Sequence, residues 1–78
     1  MLEEIKSLLV SELNIEHPED VTMEANLAND LGINSLELAD LVLLCEEKFD
    51  IEIEEDDLRE LITVGDVVRY LEEKTGNE

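Results

Sequence analysis

Residues 30–41 read DLGINSLELADL, a stretch in which a loop gives way to a helix. Asn34 is a strong N-cap, because its short side chain can accept a hydrogen bond from one of the N–H groups that a helix start leaves unpaired. Glu37 stands three residues further on, the spacing of a reciprocal capping box. The helix opening here should run to about Phe49. At about 100° per residue, Leu38, Leu41, Val42, Cys45 and Phe49 fall on one side, which must face a core. Leu36, Asp40, Leu43 and Glu47 fall on the opposite side, so two leucines stand among carboxylates on a face the core does not need. With Asn34 as cap, Ser35 takes the first helical position, and its hydroxyl is surplus to the needs of the backbone.

Upstream, Leu2, Ile5, Leu8, Leu9 and Leu13 share one face of residues 2–13, with Glu3, Glu4, Lys6, Ser7 and Glu12 elsewhere. That period predicts a first amphipathic helix. His17-Pro18 is then expected to stop any helix, since proline removes a donor and biases the preceding residue toward extended geometry. From Ile15 to Ile33 no period is sustained. So long a loop fits a compact chain only if its apolar residues, Val21, Met23, Leu27, Leu31 and Ile33, pin it across the helices, with room for one short helical turn.

Downstream, Ile51 and Ile53 alternate with acids as in an extended segment, and Leu58, Leu61 and Ile62 suggest a short helix. Thr63 is a credible N-cap with Asp66 in the first turn, and Val64, Val67, Val68 and Leu71 recur at helical spacing. Lys74-Thr75-Gly76 should end this last helix. The fold class expected is all-α, a small four-helix bundle of three longer helices and one short, with a long pinned loop between the first two. Residues 1–78 are read as one domain.

Seventy-eight residues bury only about 60–65% of the surface that the unfolded chain exposes. With one Phe, one Tyr and no Trp, the core must be aliphatic. No apolar run approaches the roughly 20 residues of a membrane span, and the start MLEEIK lacks a basic signal-peptide region, so a soluble cytoplasmic protein is expected. Twenty-three acidic residues against five basic give a formal net charge of −18. Such a surface repels nucleic acid and anionic lipid and attracts partner proteins carrying Lys and Arg patches; the bland alternative is that it merely keeps a small domain soluble.

Resident catalytic chemistry is not expected. The single histidine, His17, lies beside Pro18 in a loop, which leaves Ser and Cys without an evident base. Cys45 sits on the core stripe, where a cysteine behaves as a small hydrophobe. The acidic run from Asp50 to Asp57 resembles the start of an EF-hand loop, but Glu55 stands where glycine is demanded and Leu61 where the last ligand belongs, so no metal site is expected. From physics alone, Ser35 in a first helical turn is an ordinary tolerated polar residue.

A resemblance adds to that reading. Asp30-Leu31-Gly32, Ser35-Leu36, Asp40-Leu41, Glu46-Glu47 with Phe49, Ile51-x-Ile53 and Thr63-Val64 with Asp66 resemble the acyl carrier protein family in order and spacing, over nearly the whole chain. The resemblance implies that a holo-carrier synthase, a phosphopantetheinyl transferase, attaches 4'-phosphopantetheine covalently to Ser35, whose arm then carries acyl groups as thioesters. It implies a carrier, not an enzyme, serving acyl synthases and transferases of fatty-acid or polyketide type through basic patches on those enzymes, and acting as a monomer. The partner face it implies comprises Asn34, Leu36, Asp40, Leu43, Glu47 and Ile53. One departure is Asn34, where the family's motif has Asp. An unmodified acidic interaction module, or a peptidyl or D-alanyl carrier, is the alternative on the same fold.

Overall fold

The computed structural model describes residues 2–76. Three α-helices, α1 (Leu2–Glu12), α2 (Ser35–Phe49) and α3 (Val64–Thr75), are joined by two long connections, each carrying a short 3-10 helix, Pro18–Asp20 in the first and Glu55–Glu60 in the second. The fold is all-α, with no strand among the described residues, as expected of a small helical bundle.

α1 contributes Ile5 and Leu9 to the core, α2 contributes Leu41, Val42 and Cys45, and α3 contributes Val64, Val67, Val68 and Leu71. Leu38 and Phe49, at the ends of the α2 stripe, are only half-buried. Each fully buried aliphatic side chain stabilises the fold by about 1.5–3 kcal/mol before the entropy of ordering it is charged against it. Among the described residues no polar or charged side chain is buried, so this aliphatic interior has no internal polar network to satisfy.

The first helix ends before His17-Pro18. Asn14 turns into the left-handed region with φ 54°, and the N–H groups of Leu13 and Ile15 both donate to the Leu9 carbonyl, which closes the helix there. Asparagine tolerates that geometry better than most residues. No helix crosses His17-Pro18, and Pro18 opens the single turn Pro18–Asp20, at a position where a missing N–H costs no hydrogen bond.

The long loop is pinned by apolar residues and by backbone. Val21, Ala25, Leu27 and Ile33 are all buried. The N–H of Leu27 donates to the Ile62 carbonyl, that of Val64 to Ala25 and that of Gly65 to Met23, each at 2.9 Å. This ties the loop to the start of α3. The approach demands glycine at position 65, because a Cβ there would lie 2.8 Å from the Met23 carbonyl oxygen.

The second connection departs from the short helix expected around Leu58, Leu61 and Ile62. The 3-10 helix ends at Glu60; Leu61 follows it and is buried, while Ile62 is 55% exposed. The cause is the cap of α3, which holds Thr63 extended at φ −114°, ψ 165°. Alternation along an extended segment turns Leu61 and Ile62 to opposite sides. The 3-10 helix is anchored to α3 by Tyr70, whose hydroxyl donates to Asp57 at 2.5 Å. Burial and that bond push the Tyr70 phenol up to about 12.

Candidate functional site

The site begins with the cap of α2. Gly32 takes φ 68°, a conformation that favours glycine, and turns the chain so that Ile33 points inward and Asn34 outward. Asn34 is extended at φ −88°, ψ −179°; its Oδ1 accepts from the Glu37 N–H at 2.8 Å, and its own N–H donates to Glu37 Oε1 at 3.1 Å. The capping box is complete. Ile33 before the cap and Leu38 four positions inside the helix are spaced as a hydrophobic staple.

Ser35 is therefore left with nothing structural to do. It is exposed, and its hydroxyl makes no hydrogen bond in the described structure. It stands in the first turn of a 15-residue helix, where unpaired N–H groups and the dipole favour a negative group by about 0.3–1 kcal/mol. Beside it opens a groove of about 200 Å³, walled by Leu27, Ala28, Ile33, Leu38, Leu61 and Ile62, with Asn34 and Ser35 on its rim. The arrangement offers an accessible hydroxyl, a site for a phosphate and an apolar wall. No base is bonded to that hydroxyl in the described structure.

The outer face of α2 matches the sequence expectation closely. Leu36 is 79% and Leu43 57% exposed, with Asp40 and Glu47 exposed beside them. Asp40, Leu43 and Glu47 line a second groove together with Glu12, Leu13 and Leu44. Ile53 is not gathered into either groove. It is half-buried against the core, and its N–H donates to Glu46 Oε2 at 2.8 Å.

Sequence reasoning missed Ile62 on the wall beside Ser35, because it placed that residue inside a helix. Reading Thr63 as a cap already implied an extended Ile62, and that was the available signal. It also missed Glu12 and Leu13, which reach α2 only through the packing of α1 and have no sequence signature.

The remaining reactive groups are occupied elsewhere. Cys45 is fully buried, and burial pushes its thiol up to about 11, far from a reactive thiolate. His17 Nδ1 lies 3.3 Å from Glu19 on the surface. Among the described residues no group of three or more His, Cys, Asp or Glu is close enough to hold a metal ion, and no helix is long and apolar enough to cross a membrane.

The comparisons with known proteins agree with this geometry. The family model for the phosphopantetheine attachment site matches residues 3–71, a span that includes Ser35 and both grooves. The acyl carrier protein of Wolinella succinogenes is 44% identical over 72 residues, covering 92% of this chain and 93% of that protein. The acyl carrier protein of Chlamydia trachomatis serovar D is 42% identical over 72 residues, covering 92% of each. With that family model covering most of the chain and relatives matched along almost their full length, the chain belongs to the phosphopantetheine-attachment family of acyl carrier proteins.

Proposed function

We propose that Ser35 Oγ is the attachment point of the 4'-phosphopantetheine arm, and that α2 presents it to the enzymes that load and unload it. The chain is a carrier of acyl groups on such an arm and a substrate of partner enzymes, not an enzyme itself. The arm supplies a terminal thiol, on which acyl groups travel as thioesters. The observation that carries the assignment is the bond inventory of the α2 start: Asn34 and Glu37 satisfy each other, and Ser35 is exposed with no internal partner.

The rest of the reading follows from the outer face of α2. A phosphopantetheinyl transferase approaches the Asn34-Ser35-Leu36 corner, and acyl synthases and transferases with basic patches meet Leu36, Asp40, Leu43 and Glu47, with Ile53 at the margin. Long-range attraction between a chain of net charge −18 and basic enzymes speeds encounter, while a few apolar contacts hold the complex and leave it free to separate. We place this work in fatty-acid or polyketide-type synthesis, with residues 1–78 acting as one monomeric domain in the cytoplasm.

Intact mass after incubation with coenzyme A and a phosphopantetheinyl transferase tests the assignment. The expected result is a gain of one phosphopantetheine in the parent chain and none in Ser35→Ala, with unchanged helicity. A gain in Ser35→Ala would move the attachment elsewhere, and no gain in the parent would leave an unmodified interaction module.

A further inference from the structure

We propose that Asn34 is a site of slow covalent conversion: its side-chain amide becomes a carboxylate by way of a cyclic imide closed on the backbone nitrogen of Ser35, at a rate set by the capping box of α2. Asparagine amides are thermolabile in general. The following residue decides which of them react, because its side chain flanks the attacking nitrogen and bulk there obstructs ring closure. The chain's five asparagines, Asn14, Asn26, Asn29, Asn34 and Asn77, are followed by Ile15, Leu27, Asp30, Ser35 and Glu78. Asn34 alone precedes a small residue.

The structure supplies the remaining conditions. Asn34 and Ser35 are both exposed. The Ser35 N–H is one of the orphan donors of a helix start and makes no hydrogen bond within the described structure, and neither does Asn34 Nδ2, the group that has to leave. Asn26, by contrast, is locked, since its Oδ1 accepts from the N–H groups of Ala28 and Asn29 and its own N–H donates to Asp30 Oδ2.

In the conversion the Ser35 nitrogen bonds to Asn34 Cγ and gives up its proton, and the Cγ–Nδ2 bond breaks with release of ammonia, which carries that proton away. Water then opens the imide. Cleavage between Cγ and the Ser35 nitrogen leaves aspartate on an unaltered backbone. Cleavage between the Asn34 carbonyl carbon and that nitrogen leaves isoaspartate, whose backbone runs through the side chain. Either way one water is consumed and one ammonia released.

The box governs the rate because a five-membered ring needs the Ser35 nitrogen and Asn34 Cβ eclipsed about the Cα–C bond, whereas the capped ψ of −179° keeps them staggered. The reaction therefore runs from the opened cap. Glu37 keeps the cap closed, accepting the Asn34 N–H at 3.1 Å and donating its own to Oδ1 at 2.8 Å. The aspartate form retains an oxygen for the cap and adds a negative charge directly before Ser35. The isoaspartate form inserts a carbon into the backbone there and shifts Ser35 from its place at the helix start. What this means for priming rests on the carrier reading; the conversion itself does not.

Peptide mapping by mass spectrometry of the unprimed chain, incubated at mildly alkaline pH in heavy-oxygen water, tests this. The expected result is an amide-to-acid mass change that appears first at residue 34, carries one heavy oxygen and resolves into aspartate and isoaspartate peptides. Glu37→Ala should accelerate it about fivefold by weakening the cap. Ser35→Pro should abolish it, because a proline nitrogen has no proton to give up, while proline is well accepted at the first position of a helix. Circular dichroism of that variant should match the parent. No conversion at residue 34, conversion first at another asparagine, an unchanged rate in Glu37→Ala or persistence in Ser35→Pro would overturn the proposal. None of these readouts uses a transferase or the arm, so their failure and the failure of the attachment assignment are separate results.

Discussion

Asn34 uses one side-chain oxygen to cap α2, and this orients the rest of its amide. With Oδ1 taken by the Glu37 N–H, the Nδ2 donor is not needed by the cap. An aspartate would hold the same cap with one oxygen and leave a second, charged acceptor free. Helix stability should not register the exchange, since Asn and Asp cap comparably. A transferase that places a cation opposite this position should register it, because a charge-assisted hydrogen bond contributes about 1.5–3 kcal/mol. Asn34→Asp is therefore expected to be primed about tenfold or more faster by such an enzyme, with unfolding unchanged; equal priming rates would show that a neutral amide serves as well. At this scale the site was largely legible: the cap at Asn34, the surplus hydroxyl of Ser35 and the outward leucines follow from local hydrogen-bond chemistry and helical angle alone. The grooves were not, because their walls come from residues as distant in sequence as Leu27 and Ile62, or Leu13 and Leu43, and no local pattern encodes which elements meet.

The start of α3 repeats the logic of α2 with a charged partner. Thr63 caps by accepting from the Asp66 N–H, and Asp66 Oδ2 accepts from the N–H groups of Thr63 at 3.0 Å and Ile62 at 3.1 Å, while its Oδ1 accepts from Arg69. The Thr63 backbone bond is the largest cause holding the Asp66 carboxyl below its ordinary value of 3.8. A depressed folded-state pKa stabilises fully above the unfolded value and is lost as pH falls through the folded one. Asp66→Asn is thus expected to cost about 0.5–2 kcal/mol near neutral pH. The gap between variant and parent should close as pH drops below 3.8, when the parent carboxyl also becomes neutral. Urea unfolding of both proteins across that range checks it, and a gap independent of pH would show that the charge is irrelevant to the cap. The α2 and α3 boundaries could be read from sequence for this reason: both caps are built within four residues. The apolar period over residues 2–13 places the end of α1 within one residue of Glu12, but not the cause, since Asn14 closes the helix by adopting a backbone conformation that many asparagines never adopt. The stretch after Phe49 was legible as irregular but not in detail, since the 3-10 helix is held by contacts that reach elsewhere, Tyr70 to Asp57 and Ile53 to Glu46.

On the scale of the whole molecule, a small aliphatic core must hold together a surface bearing 23 acidic and five basic residues. The chain measures 29 × 22 × 20 Å. The screening length is about 30 Å at 0.01 M salt and about 10 Å at 0.1 M. At the lower salt nearly every carboxylate therefore repels every other across the entire molecule, whereas at the higher only neighbours do. Unfolding relaxes that repulsion by spreading the charges apart, so low salt favours the unfolded chain. Five basic residues against 23 acidic leave few attractive pairs to lose, so little attraction is lost when salt screens both signs. The melting temperature is therefore expected to rise with sodium chloride, steeply up to about 0.15 M and then level off, since one kcal/mol shifts a domain of this size by about 4–8 °C. Millimolar magnesium at fixed ionic strength should raise it further by binding loosely to the acidic surface. A melting temperature that is flat or falls with salt would mean that the folded and unfolded chains feel the same repulsion, and the acidic surface would then carry no stability cost.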